Sequence, residues 1–332
     1  MITGYVGTYN STTGKGIYQF SFDEQNGKLA DIKSYYPADD AKCAILNESK
    51  HTLAITLQKG DKSGVALLDT KTNTLLDEIL QEKKAPCFIK YDKDFIYTAN
   101  YHDGVVMVYQ VKNDKLNLVK RIEVVTKAGC HQVMLCKDYL VVPCLLIDEV
   151  RIFDTKNDFA LVQTLHFPKG TGPRHGVFTA DFKTLYLVSE LSHEFFVFDV
   201  DCATLNFTLK DKLSLLPSDT SDEMRKKSTT AAIRLTKDEQ FIYVSTRGAD
   251  ILTVISINDD KSPKIVQQVH EKIAHPRDFL LSYDEQFLLV VNRDNDDLVS
   301  FKLNSSTGKI KNMIDKLNVP KAVGITLEKV KL

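Results

Sequence analysis

Residues 170–199 read GTGPRHGVFTADFKTLYLVSELSHEFFVFD, and this stretch decides the fold because the rest of the chain reads as edited copies of it. A polar Pro173-Arg174-His175 triplet leads into an apolar strand at 176–179, and a polar turn follows at 180–184. A second strand, 185–189, ends on Glu190, and a third, 195–199, closes the unit. Short runs of β-branched, aromatic and aliphatic residues joined across a polar turn are the signal for a hairpin.

Working outward, Pro173 has counterparts at Lys42, Pro86, Gly129, Thr230, Pro276 and Pro320, at intervals of 44, 43, 44, 57, 46 and 44 residues. Every counterpart but the last precedes strand, turn, strand and strand. Third strands are expected at 64–69, 105–111, 150–154, 195–199, 252–257 and 298–303, and weaker fourth strands near 75–80, 118–124, 159–165 and 265–270. The N-terminal segments 1–9, 16–22 and 28–34 look like a blade without its first strand, and 322–327 supplies it. The expectation is an all-β, seven-bladed β-propeller of four-stranded antiparallel blades, one domain over 1–332, closed by the C-terminal strand joining the N-terminal blade. The long interval contains 213–230, which is polar, carries Pro217 and is read as a solvated loop in preference to a flap over a pocket.

Composition removes several function classes. Forty-three basic residues against 44 acidic ones leave a formal charge of −1, so no nucleic acid and no anionic membrane is expected to be held by bulk charge. The opening MITGYVGTYN lacks a basic and an apolar signal region, and no run approaches the roughly 20 apolar residues of a membrane span, which points to the cytoplasm. Six cysteines without a CxxC pair are expected to be reduced thiols. Cys43, Cys87 and Cys130 fall at equivalent positions of three consecutive blades, too far apart for a tetrahedral thiolate site, and are read as packing residues, with no metal.

In a propeller the first strand of each blade lines the central channel, so equivalent positions form rings. One ring holds Cys43, Cys87, Cys130, Arg174, Ala231, Arg277 and Lys321, and the next Ala44, Phe88, His131, His175, Ala232, Asp278 and Ala322. The ends of the second strands add Tyr9, Gln58, Tyr101, Cys144, Glu190, Arg247 and Arg293. Charge therefore gathers in one sector of one mouth, where four guanidiniums suit phosphate or carboxylate oxygens. Mutual pairing of these charges is the competing reading. Glu190 is the candidate base, although neighbouring arginines that keep it ionised also weaken it. His175 reads as a structural histidine ahead of a catalytic one. Asp148, Asp154 and Asp199 recur with the repeat and read as turn caps. GxSxG, Walker A, HExxH and GxGxxG motifs are absent.

YVGTY at 5–9, GIYQFSFD, GCHQV, VVP, GTGPRHGVF, SEL, the AAIRL stretch, STRG and HPRDF occur in the order seen in a known family. Over essentially its whole length the chain resembles the seven-bladed lactonases that include the propeller-type bacterial 6-phosphogluconolactonase and the fungal carboxymuconate-lactonising enzyme. The resemblance implies an active-site group at His131, Arg174, Glu190 and Arg247. Cys144, Ala232 and Thr246 depart from residues common in the family, which bears on substrate more than on fold.

The resemblance further implies hydrolysis of 6-phospho-D-glucono-1,5-lactone, a small anionic lactone, to 6-phosphogluconate in the oxidative pentose phosphate route. Arg174 or Arg247 would stabilise the tetrahedral oxyanion, and Glu190 or His131 would orient or deprotonate the water. Arg277 and Arg293 are candidate phosphate holders, with His175, Asp278 and Tyr101 as further substrate contacts. No cofactor is needed, because δ-lactones are already reactive. The alternatives are another anionic lactone, such as a carboxymuconate type, and a non-catalytic propeller whose mouth binds a peptide or sugar.

Overall fold

The computed structural model describes residues 1–328, which form 28 strands in seven four-stranded antiparallel sheets. The innermost strands are Ala322–Leu327, Ala44–Asn47, Phe88–Asp92, Met134–Cys136, Pro173–Phe178, Thr229–Leu235 and Pro276–Leu281, each followed outward by the next strands of its blade. Closure is as the repeat requires: Ala322–Leu327 pairs antiparallel with Ile2–Thr8, with Val6 opposite Ile325 and Tyr5 opposite Thr326.

The packing explains the sequence pattern. Second strands such as Thr184–Ser189 and Phe287–Asn292 are buried at every residue, because a neighbouring blade covers each face. They therefore read as continuous apolar runs and not as an alternation. Fourth strands, such as Asn206–Ser214 and Lys115–Glu123, form the outer edge and are mostly exposed, with lysines and carboxylates that discourage edge pairing. That exposure is why their sequence signal was weak.

Seven apolar clusters hold the ring, one between each pair of neighbouring blades. The cluster across the closure joins Val6, Phe20 and Phe22 to Phe287, Leu289 and Leu298, with Ala322 and Ile325 from the C-terminal strand. Each such side chain contributes about 1.5–3 kcal/mol when taken out of water, so the closing strand carries a full interface.

Two expectations need correction. Cys136 and Cys202 are joined by a disulfide, whereas Cys43, Cys87, Cys130 and Cys144 are free. The two partners lie 66 residues apart in sequence, and it is the packing of the fourth blade against the fifth that brings them together. The segment 213–230 is not wholly loop: its first residues complete Asn206–Ser214, and Asp222–Lys227 forms a short helix. Ser221 caps that helix by accepting from the Met224 N–H, and Asp222 and Glu223 lie in its first turn.

Candidate active site

The first strands present their leading residues at one mouth of the channel, and two of these residues are set by β-bulges. The pairing register shifts between Pro173 and His175 and again between Pro276 and Asp278, leaving Arg174 and Arg277 outside the regular ladder. A bulge re-aims the side chain it carries. Each guanidinium accordingly reaches the next blade, Arg174 Nη1 donating to the Ala231 carbonyl at 2.5 Å and Arg277 Nη1 to the Val323 carbonyl at 3.2 Å.

The segment before Arg174 is held by Asp148 of the preceding blade. The Gly170 and Gly172 N–H groups donate to the two carboxylate oxygens of Asp148 at 2.9 and 2.8 Å. Gly172 adopts φ +65°, and a Cβ there would lie 2.7 Å from Leu191 Cγ. Its carbonyl accepts from the Glu190 N–H at 2.7 Å, which ties the start of the first strand to the end of the second. Gly248, at φ +84° after Arg247, sits against the Lys227 carbonyl in the same fashion.

Glu190 is the hub. Its Oε2 accepts from Arg174 Nε at 2.7 Å and lies 2.9 Å from Arg247 Nη2. The second contact is close but poorly aligned, since Arg247 Nη2 has no hydrogen-bond partner although it is buried. Burial alone would push the Glu190 carboxyl up; Arg174 and Arg247 outweigh it and hold it below the usual carboxylate range. Burial lowers the Arg174 pKa to about 10 despite Glu190, and lowers that of Arg247 as well. Both ion pairs fall on Oε2, which leaves Oε1 without an ion pair among the described residues.

Arg277 is buried without a carboxylate partner among the described residues and packs on Tyr9, its guanidinium carbon 5.6 Å from the ring centroid. Lys42 Nζ lies 6.0 Å from the same centroid and donates to the Ala85 carbonyl. His131 Nδ1 is 3.0 Å from His175 Nε2, and the Tyr101 ring stands edge-on to His131 with centroids 6.0 Å apart. Both histidines are pushed well below the ordinary imidazole range, first by burial and then by the arginines, so both are neutral. The mouth therefore holds Arg174, Arg247 and Arg277 against the single carboxylate Glu190, a cationic excess that is largely shielded from water.

Arg293 is bidentate to the neighbouring Asp294 and a third exposed, at the rim. Asp278 points away from the cluster, pairing with Arg234 Nη2 at 2.6 Å. It lines a cavity of about 700 Å³ formed farther along the first strands by Phe88, Lys90, Gln132, Phe178 and Arg234. Arg174, Glu190 and Arg247 do not border that cavity, although Phe88 on its wall stands edge-on to His175 with ring centroids 5.9 Å apart.

Three neighbours of the cluster were not singled out from sequence. His275 interacts with Arg293, Arg247 and Arg277, and burial with these cations lowers its pKa to about 4. Its place directly before Pro276 in HPRDF was the available signal. Lys42 and Arg234 follow from the repeat, one at the Pro173 position and the other one repeat, 44 residues, before Asp278. The inserted helix meets His193, whose Nε2 lies 3.1 Å from the Arg225 carbonyl, and the strand after it meets Glu190 through Thr230, whose N–H donates to the Glu190 carbonyl.

Residues 3–327 match the family described as lactonase, 7-bladed β-propeller. The chain is similar to a 6-phosphogluconolactonase of Bacillus subtilis (strain 168), 29% identical over 338 residues, covering 96% of this chain and 95% of that protein. It is similar to a solved protein of Lactobacillus plantarum at TM-score 0.90 and 26% identity, covering 99% of both chains. A periplasmic gluconolactonase structure from Pseudomonas aeruginosa shares the fold at TM-score 0.87 and 22% identity, again over 99% of each chain. With a family match over nearly its whole length, the chain belongs to the seven-bladed β-propeller lactonases.

Proposed function

We propose that this protein hydrolyses a phosphorylated sugar lactone, 6-phospho-D-glucono-1,5-lactone, to 6-phosphogluconate, and does so in the cytoplasm as a step of the oxidative pentose phosphate route. The observation that carries the reading is the pairing of Arg174 and Arg247 on the one carboxylate Glu190, with the buried Arg277 beside them lacking a carboxylate partner among the described residues. Such a crowd is a poor way to stabilise a fold, because buried charges carry a desolvation cost, but it is well made for an anion. The relative in Bacillus subtilis is named for this reaction.

In the reaction, water oxygen bonds to the lactone carbonyl carbon and the carbonyl becomes an oxyanion. The ring C–O bond then breaks, one water proton ends on the former ring oxygen, and the other is released as the acid ionises. Glu190 Oε1 orients the water as an ionised carboxylate, a weak base. The partly exposed Arg247 guanidinium stabilises the oxyanion, a contact that gains strength only as charge develops. Arg174 holds Glu190 in place, while Arg277, with Lys42, takes the phosphate; Arg293 is less available because Asp294 occupies it.

The test is stopped-flow hydrolysis of freshly generated lactone, corrected for spontaneous opening. The parent protein accelerates opening, and E190Q and R247A each lose on the order of a hundredfold. A parent without acceleration would rule out this substrate, whereas full activity in both variants would move the site elsewhere.

A further inference from the structure

We infer that His175 is a positioning residue that fixes His131 as a neutral imidazole protonated at Nε2, so that His131 meets the substrate as a hydrogen-bond donor and not as a base. The inference rests on the reading of this mouth as the lactone-hydrolysing site, and it assigns the two histidines different tasks.

The two rings occupy equivalent ring positions one repeat, 44 residues, apart, and meet Nδ1 to Nε2 at 3.0 Å, with centroids 4.9 Å apart and planes at 65°. His131 is 6% exposed and His175 9%. Two neutral imidazoles in such contact share a single proton, and what the outer nitrogens do decides which ring donates it. His175 Nδ1 is fully buried and has no partner. A proton placed there would leave an orphaned, desolvated N–H. A proton on Nε2 instead is shared with His131, and the bare Nδ1 lone pair sits in the positive field of Arg174, Arg234 and Arg277. His175 is therefore the donor and His131 Nδ1 the acceptor. A neutral His131 that accepts at Nδ1 carries its own proton on Nε2, the nitrogen with no protein partner among the described residues.

The surroundings keep this state in place. His131 faces His175 and Arg174 from the fifth blade, Arg247 from the sixth, Arg277 from the seventh and Tyr101 from the third. His175 faces Arg174, Arg234, Arg277 and the Phe88 ring, and only the main chain of His131 favours its charged form. Burial comes first among the causes that keep each ring neutral, and the arginines add to it. A neutral N–H donor can support the oxyanion or the departing ring oxygen without giving up its proton.

Long-range proton–nitrogen correlation NMR on the ¹⁵N-labelled full chain at neutral pH tests the state directly. The expected result is His131 protonated at Nε2 alone; protonation at Nδ1, or at both nitrogens, overturns the inference. In kinetics, H175L lowers kcat on the order of tenfold with little change in KM, and H175Q, whose amide N–H reaches the same place, restores most of the rate. Equal loss in both variants, with the fold intact by circular dichroism, also overturns it. Absence of lactone hydrolysis in the parent removes the proposed substrate instead, and the NMR result still decides the histidine pair.

Discussion

Arg174 is the largest fully buried side chain among the described residues, and its ion pair with Glu190 is mostly shielded from water. Removing one partner of such a pair strands the other. R174A is thus expected to destabilise the protein by about 3–5 kcal/mol in urea unfolding, whereas E190Q, which keeps a hydrogen-bond acceptor for both guanidiniums, disturbs chemistry more than stability. Elsewhere a different buried acid sets a pH dependence. Glu82 accepts from Asn100 Nδ2 at 2.7 Å, and burial raises its pKa to about 7 from 4.5. The native state holds this proton over a range where the unfolded chain has lost it, so stability falls as pH rises from about 4.5 to about 7, by at most about 1.4 kcal/mol per pH unit, and levels off above. E82Q removes that slope, which chemical denaturation at a series of pH values reads; an unchanged slope would sink the assignment to Glu82.

At the scale of elements, the strand that closes the ring matters out of proportion to its six residues. Deleting residues from Ala322 onward exposes the edge of Ile2–Thr8 and strips Ala322 and Ile325 from the interface between the last and first blades. The shortened chain is expected to lose cooperative thermal unfolding or to aggregate, as light scattering would show, because an open ring leaves both an apolar face and a free strand edge. The second strands and most of the third were legible in the sequence because burial on both faces demands apolar runs, whereas the first strands, such as Ala44–Asn47 and Phe88–Asp92, are only half-buried along the channel and were legible from their place in the repeat. The helix Asp222–Lys227 was not: six residues are too few for a helical period to show, and its stop and start lie in the Ser221 cap and the main-chain contacts of Ser228. The bulges that place Arg174 and Arg277 left no readable mark either, since a one-residue shift in pairing changes no residue type.

For the molecule as a whole, a formal charge of −1 hides a strongly cationic mouth. Salt screens an exposed charge over about 8–10 Å at physiological ionic strength. KM for a phosphorylated lactone is therefore expected to rise severalfold, roughly, between low and high salt, while an unphosphorylated lactone shows little dependence; equal slopes for both would remove the phosphate from the picture. The disulfide Cys136–Cys202 bears on where the protein works, because reducing compartments keep most thiols free. Thiol labelling of protein taken directly from cells, read by mass, is expected to label both cysteines if the protein works in the cytoplasm as proposed; protection of both would place it in an oxidising compartment instead.

The sequence by itself determined the repeat, the number of blades, the closure by mixed termini and the sector of the mouth where charge collects. These follow from local rules, since each blade needs the same apolar strands and polar turns. Only the tertiary structure decided which charges meet. It tied Glu190 to two arginines and Asp278 to Arg234 on the wall of a neighbouring cavity. It also joined His131 to His175 and Cys136 to Cys202. The physical reason is distance along the chain: these partners stand 16 to 66 residues apart and mostly on different blades. Their contacts are set by how blades pack and where a strand bulges, which no local pattern records.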